Sequence, residues 1–195
     1  MKDDLSNLTH KLTMLLALTS ASRASEMHQL DLQFMVRTDK FYRFTLPQPT
    51  KVQKPGDPHQ KVTFYGFDEV GSLCVCKTIE QYLELTKAIR GSETKLLIAT
   101  VKPHKAVAVS TVSRWLKTVI GDAGIDSSVF KGHSTRSAST SKAILKGASV
   151  EDVMKTAYWS NESTFQKFYN KSVSLQGSKF QGAIYTSFKQ RELKL

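Results

Sequence analysis

Hydrophobic positions near the start of the chain recur at steps of three and four residues. This spacing places them on one face of an amphipathic helix. The face consists of Leu5, Leu8, Leu12, Leu15 and Leu16. A serine-rich stretch at 20–22 then interrupts the pattern, and Ser22 is suited to cap a second short helix that begins at Arg23.

After Asp31 the pattern changes from helical spacing to short alternating runs. Residues 32–36 and 41–46 are rich in aromatic and β-branched side chains, and a polar turn separates them. A third alternating run covers 61–67. These runs predict a β-hairpin followed by a third strand. The stretch 47–58 contains four of the five prolines of the chain and is predicted to be a loop.

The rest of the chain again shows helical spacing. Helices are predicted at 78–89, 110–120, 134–146 and 150–158, with a shorter one at 163–169. Ser110 or Thr111 is suited to cap the second of these. We therefore predict an α+β fold that is mainly α-helical, with a small three-stranded antiparallel sheet.

The net charge of the chain indicates a candidate class of binding partner. The chain has 195 residues, which suits one domain, and carries a net charge of +11. Two stretches hold nearly all of the excess, +4 over 37–61 and +7 over 131–195. They form either two separate solvated faces or one surface for a polyanion, of which nucleic acid is the commonest.

Several classes of function are disfavoured by what the sequence lacks. No apolar run approaches the roughly 18 residues of a membrane span, and the first residues show no signal-peptide pattern. Cys74 and Cys76 are too close together for a useful disulfide, which indicates a reducing compartment rather than secretion. The five histidines show no metal-ligand spacing. We expect no cofactor, no metal and no membrane partner.

Candidate chemistry lies in a few widely separated segments. Arg23 begins a short box that ends at Glu26, and Lys51 lies on the predicted proline-rich loop. A second box runs from His133 to Arg136. Further candidates are Trp159 and, ten residues later, Tyr169. Each of these side chains has an ordinary structural explanation on its own, and their order along the chain is what carries information.

In this order the residues resemble the tyrosine recombinase (phage integrase) family, which includes Cre and is related to the type IB topoisomerases. The family's order is Arg, Lys, His-x-x-Arg, His or Trp, and Tyr. The interval from Arg136 to Trp159 also matches, as does the Gly147-Ala148 turn between them. The tyrosine follows one residue later than in bacterial and phage members, and Ser137 stands where many members have histidine. The longer spacing looks like recombinases of eukaryotic mobile elements, such as DIRS-like retrotransposons and Cryptons.

The resemblance implies metal-free cleavage of a phosphodiester. Arg23 and Arg136 would hold the non-bridging oxygens while charge develops on them. Lys51 would protonate the leaving 5′-oxygen, with Lys54 as a competing candidate on the same loop. Tyr169 would attack to give a 3′-phosphotyrosyl bond, with Tyr158 and Tyr185 as less favoured alternatives.

The other members of the set would assist this reaction. His133 would donate a hydrogen bond to the phosphate or act as an acid or base. Trp159 would donate its indole N–H to the phosphate, or else pack in the core. Glu26 would orient the arginine box. The further candidate DNA contacts are Lys54, Lys131, Lys142, Lys167 and Lys171.

The same resemblance predicts the organisation of the chain. Residues 1–175 would form the catalytic domain, without the separate N-terminal DNA-clamping domain of the family. The tail at 176–195 has an apolar patch between Phe180 and Phe188, which would dock on a second protomer or pack on its own core. The expected partners are duplex DNA and a second copy of the chain. We expect nuclear localisation in a eukaryote and cytoplasmic localisation otherwise.

Two other functions fit the same residues. One is a catalytically silent DNA-binding module derived from a mobile element. The other is a topoisomerase-like enzyme that relaxes DNA without exchanging partners.

Overall fold

The computed structural model describes residues 2–51, 53–159, 163 and 165. These residues form six α-helices, three β-strands and two short 3-10 segments. The helices are α1 (Lys2–Ser20), α2 (Ala24–Met27), α3 (Val75–Thr86), α4 (Val109–Asp122), α5 (Ser134–Leu145) and α6 (Val150–Thr156). The strands are β1 (Met35–Arg37), β2 (Phe41–Thr45) and β3 (Lys61–Tyr65), and the 3-10 segments are Leu32–Phe34 and Asp68–Leu73.

The sheet is antiparallel with the strand order β1-β2-β3. Side chains alternate across it, so that Tyr42 and Phe44 of β2 are buried against the helices together with Val62 and Phe64 of β3. The register pairs Phe44 with Val62 and Tyr42 with Phe64. The predicted α+β fold with a small three-stranded antiparallel sheet is confirmed.

The core forms around α1, which contacts α3, α4 and α5. Leu12, Leu16 and Ala17 of this helix are fully buried. A second, smaller cluster joins the residue after α1, Ala21, to Val153 and Ala157 at α6. This second cluster matters for function because it brings the end of the first helix next to the end of the last one described.

Several local expectations are corrected by the structure. Arg23, not Ser22, is the N-cap residue of α2, because the Arg23 main-chain N–H donates to Glu26 and the Ser22 hydroxyl accepts from Ser20 instead. The first predicted strand begins only at Met35. The preceding residues form a 3-10 turn because the Asp31 carboxylate accepts the Gln33 N–H.

The helix bounds shift slightly as well. The helix predicted at 78–89 begins and ends three residues earlier, and α6 ends at Thr156 rather than at residue 158. The N-cap of α4 is Ala108, which has no capping side chain, so neither Ser110 nor Thr111 caps this helix. None of the described helices combines the length and apolarity that crossing a membrane requires.

Candidate active site

The arginine box is held together by one carboxylate. The Glu26 side chain accepts a hydrogen bond from Arg23 Nη1 at 2.5 Å through Oε1, and one from the Arg23 main-chain N–H at 2.8 Å through Oε2. Glu26 is 2% exposed, whereas the Arg23 side chain is 25% exposed. The carboxylate therefore fixes Arg23 at the start of α2 while leaving part of the guanidinium facing solvent.

Arg136 enters the same cluster from the first turn of α5. Its Nη1 lies 3.8 Å from Oε2 of Glu26 and donates to the Ala21 carbonyl at 2.5 Å. Its Nη2 donates to the Ala157 carbonyl. The guanidinium thus joins the segment after α1 to the segment after α6, and Arg136 is 3% exposed.

Trp159 covers this buried guanidinium. The centre of its ring lies 4.6 Å from the Arg136 guanidinium carbon, a distance suited to a cation–π contact. The indole also packs on Phe165, with the ring centroids 4.9 Å apart. The packing makes Trp159 part of the small core cluster, and both of the roles expected for it, in packing and toward a phosphate, remain compatible with this position.

His133 and Arg136 differ sharply in exposure although they lie in one box. His133 is the N-cap residue of α5 and is exposed. Arg136 lies one turn further on and faces the protein interior. The box therefore presents an imidazole at the surface beside a guanidinium that is anchored from behind.

The loop that carries Lys51 is bonded at both of its ends to residues that are close in sequence to members of this cluster. Near its start, the Gln48 main-chain N–H donates to Oε1 of Gln29, a buried residue just after α2. At its end, the first residue of β3, Lys61, bonds through its main chain to the Tyr158 hydroxyl. These contacts keep the β2–β3 loop beside the arginine cluster.

Within the loop, Gln53 organises the turn around Lys51. Its Oε1 accepts from the Thr50 main-chain N–H at 2.7 Å, and its Nε2 donates to the Pro58 carbonyl at 2.7 Å. Lys51 and Lys54 are both exposed. The Lys54 main chain is tied to Asp57 in a separate turn, so the two lysines lie on different turns of one loop.

The other predicted residues fall into two groups. Lys131, just before the His133 box, and Lys142, on α5, are exposed. Tyr169 and the tail patch from Phe180 to Phe188 lie outside the described residues, as do the candidate DNA contacts Lys167 and Lys171. Their predicted roles stay predictions.

Tyr158, the less favoured alternative nucleophile, bonds through its side chain to the first residue of β3. Its hydroxyl donates to the Lys61 carbonyl and accepts the Lys61 N–H at 3.2 Å. Burial raises the pKa of this phenol, and the nearby Glu26 charge acts in the same direction, while the Lys61 bond opposes them. A protonated hydroxyl engaged with the main chain is poorly placed to attack a phosphate.

Three positioning contacts were missed at the level of the sequence, namely those of Tyr158, Gln29 and Gln53. Each is made by one polar side chain with the main chain of the loop or of the start of β3, so no hydrophobic pattern reports it. A signal existed only for Tyr158, which stands directly before Trp159 at the end of a predicted helix. Among the described residues, no group of three His, Cys, Asp or Glu side chains could hold a metal ion.

The arrangement has the elements needed to stabilise a phosphate anion. A partly exposed guanidinium, an exposed imidazole and an indole come from three distant segments, and a buried arginine and carboxylate hold those segments together. Preorganised donors of this kind act on charge as it develops in a transition state, without reorganising at that moment.

The fold is that of a tyrosine recombinase catalytic domain. A XerH site-specific recombinase bound to its difH substrate in a pre-cleavage complex matches with a TM-score of 0.63 and 12% identity, over 83% of this chain and 42% of that chain. The XerA recombinase matches with a TM-score of 0.63 and 14% identity, over 94% and 64%. A lambda integrase dimer bound to a COC′ core site matches with a TM-score of 0.58 and 12% identity, over 87% and 57%.

Sequence comparison gives the family directly. The profile of the phage integrase family matches residues 1–174. The chain therefore belongs to the phage integrase family, the tyrosine recombinases. It spans less than two thirds of the length of each of these solved structures. No curated protein sequence shows significant similarity to it.

Proposed function

We propose that this chain cleaves and rejoins duplex DNA as the catalytic part of a site-specific recombinase. The observation that carries the proposal is the cluster in which Glu26 contacts Arg23 and Arg136 while Trp159 stacks on the second arginine. Family membership and the DNA-bound state of two of the similar structures support the same reaction.

In the proposed reaction the oxygen of the Tyr169 phenol attacks the phosphorus, and the phenolic proton passes to the His133 imidazole or to water. The bond from phosphorus to the 5′-oxygen breaks, and the 3′-phosphate stays on the tyrosine. Lys51 supplies the proton that the departing 5′-oxygen needs. The phosphodiester energy is conserved in the phosphotyrosyl bond, so the strand is rejoined without a nucleotide cofactor.

The two arginines have different tasks in this proposal. Arg23 retains solvent access and is the guanidinium that a phosphate can approach in the present arrangement. The resemblance implies that Arg136 also holds the phosphate. Its guanidinium already donates to the Ala21 and Ala157 carbonyls, so we assign it instead to anchoring the segments that carry the site. His133, exposed at the start of α5, completes the donor set on the phosphate side.

The finer proposal concerns biological context. The ten-residue step from Trp159 to Tyr169 supports a recombinase of a mobile element, which integrates or excises its own DNA. Self-association of the DNA-bound chain through the tail at 176–195 is part of the same proposal.

Covalent capture tests the reaction. The chain is incubated with a pool of duplexes that are randomised at their centre and nicked so that the short cleaved strand diffuses away. SDS-resistant protein–DNA complexes are then isolated. We expect complexes with wild type and none with Tyr169→Phe. Retained binding of the pool without any covalent product, also in the presence of longer flanking DNA, would instead indicate a silent binding module.

The same preparation separates recombination from relaxation. A relaxing enzyme converts supercoiled plasmid to relaxed topoisomers as a monomer, without joining two duplexes. A recombinase yields joint products between two captured duplexes that carry the selected sequence. Relaxation without joint products would overturn the recombinase proposal while leaving the cleavage chemistry in place.

A further inference from the structure

The Tyr158 side chain crosses from the end of α6 to the beginning of β3. Its hydroxyl engages both main-chain groups of Lys61, accepting from the N–H at 3.2 Å and donating to the carbonyl. A side chain that uses one oxygen to satisfy both the donor and the acceptor of a single residue fixes that residue closely. The start of β3 is thereby attached to the turn after α6.

The backbone of Tyr158 shows that this side chain occupies a position that favours glycine. α6 ends in a Schellman motif, in which the Trp159 N–H bonds the Met154 carbonyl and the Tyr158 N–H bonds the Lys155 carbonyl. Tyr158 consequently adopts a left-handed φ of 51°. Side chains with a Cβ adopt this conformation at an energetic cost.

The end of α5 provides an internal comparison. It closes with the same motif, and there the left-handed position is occupied by Gly147, with a φ of 92°. At the end of α5 the left-handed position is thus occupied by glycine, which has no side chain to make a further contact. At the end of α6 it is occupied by a tyrosine whose side chain reaches the sheet. The strained residue at α6 is held by contacts that the turn alone does not require.

The two segments joined by Tyr158 carry different parts of the site. On one side, the preceding carbonyl, that of Ala157, accepts from Arg136, and the following residue, Trp159, stacks on the same guanidinium. On the other side, Lys61 ends the loop that carries Lys51. The Tyr158 side chain therefore links the residues around Arg136 to the β2–β3 loop that carries Lys51.

We propose that Tyr158 is a positioning residue that holds the Lys51 loop in register with Arg136 and Trp159 during cleavage. The inference rests on the proposed function. It predicts that loss of the hydroxyl leaves the arginine cluster intact and impairs the step that depends on Lys51, the protonation of the leaving oxygen.

The structural half of the proposal is tested without DNA. Hydrogen exchange is measured on the full 195-residue chain for wild type, for Tyr158→Phe, and for Tyr65→Phe, which removes an exposed hydroxyl from the other end of β3. We expect faster exchange at Lys61 and through 46–60 in Tyr158→Phe alone. Unchanged exchange at these positions would overturn the proposal whatever the activity.

The chemical half is tested by single-turnover cleavage of two matched substrates. One is an ordinary nicked duplex of a captured sequence, and the other carries sulfur in place of the bridging 5′-oxygen. A thiol, with a pKa of about 8.5, leaves as a thiolate without a proton donor. A positioning role toward Lys51 predicts a rate about 10- to 100-fold lower for Tyr158→Phe on the ordinary substrate, and a rate within about twofold of wild type on the sulfur substrate.

The remaining outcomes are decisive as well. An equal loss on both substrates would show a general structural defect and overturn the proposal, as would wild-type rates on both. DNA affinity is expected to be unchanged in Tyr158→Phe. A wild-type chain that never forms a covalent complex overturns the proposed function and the role in cleavage together, whereas the exchange measurement still decides whether Tyr158 couples the two segments.

Discussion

Glu26 and Arg136 lie far apart in the sequence and meet in the interior, where Oε2 of the carboxylate is 3.8 Å from Nη1 of the guanidinium. Both side chains are nearly inaccessible to solvent. The same carboxylate accepts a hydrogen bond from Arg23. Two guanidiniums brought to one site repel each other, and an anion between them offsets that repulsion. Glu26 is thus what allows both arginines to stay in one cluster.

Because Glu26 contacts both arginines, we expect Glu26→Gln to destabilise the fold. The amide keeps the shape of the side chain but removes a negative charge that lies 3.8 Å from the buried Arg136 guanidinium. We expect the free energy of unfolding to fall by about 3 kcal/mol. Urea denaturation measures it, with Glu84→Gln on the exposed face of α3 as the matched control, for which the change should be within about 0.5 kcal/mol. Equal effects of the two variants would contradict the role of Glu26.

Substitution by lysine should destabilise the protein more at Arg136 than at Arg23. Arg136→Lys cannot reach both the Ala21 and Ala157 carbonyls with one ammonium, so we expect a loss of about 2–3 kcal/mol in unfolding free energy. Arg23→Lys alters a partly exposed pair and should cost less than about 1 kcal/mol. Both variants should nonetheless abolish covalent capture. Denaturation that ranks Arg23→Lys as the more destabilising change would refute the assignment of Arg136 as the anchor.

The cleavage rates of Lys51→Ala and Lys54→Ala on substrates with different leaving groups show which of the two lysines is the general acid. Removing a general acid costs about 10²- to 10⁴-fold in rate, so Lys51→Ala should lose that much in single-turnover cleavage and recover on the sulfur-bridged substrate. Lys54→Ala should cleave at a rate close to wild type and lose about one unit of the salt dependence of DNA binding. The reverse pattern would make Lys54 the acid.

His10 offers a pH-dependent probe outside the site. It packs edge-on against Trp115, with the ring centroids 6.1 Å apart, and burial lowers its pKa although Asp122 opposes the shift. A histidine with a lowered folded-state pKa stabilises the fold above its unfolded pKa of about 6.5 and loses that contribution as pH falls toward the folded-state value.

Trp115 fluorescence in Trp159→Phe reports this titration directly, because these are the two tryptophans of the chain. The midpoint of the fluorescence change should lie below pH 6.5. The free energy of unfolding should decrease as the pH falls through the same interval. His10→Gln should flatten both curves. A midpoint above 6.5 would show that Asp122 outweighs burial.

Regular patterns in the sequence account for most of the fold. The three-to-four spacing that begins at Leu5 predicts α1, and the alternation at 41–46 predicts β2, because helices and strands with one buried face repeat at fixed periods. Where a single polar side chain decides the backbone, the prediction fails. Residues 32–34 have the composition of a strand but turn into a 3-10 segment under the Asp31 carboxylate.

In the candidate site, too, some features are predictable from the sequence and others are not. The resemblance to the tyrosine recombinases implies that Arg23, Arg136 and Trp159 act together, and the structure brings these three side chains into one cluster around Glu26. The contacts that hold the Lys51 loop, through Gln29 and Tyr158, are not predictable from spacing. They depend on where distant segments pack, and such tertiary contacts leave no periodic trace.

Strand cleavage is proposed to pass through Tyr169. The most direct measurement is mass spectrometry of the covalent complex after nuclease digestion and proteolysis, which identifies the peptide that carries the residual nucleotide. We expect a 3′-linked nucleotide on Tyr169. An adduct on Tyr158 or Tyr185, or a chain that joins and cleaves DNA with no tyrosyl adduct, would contradict it.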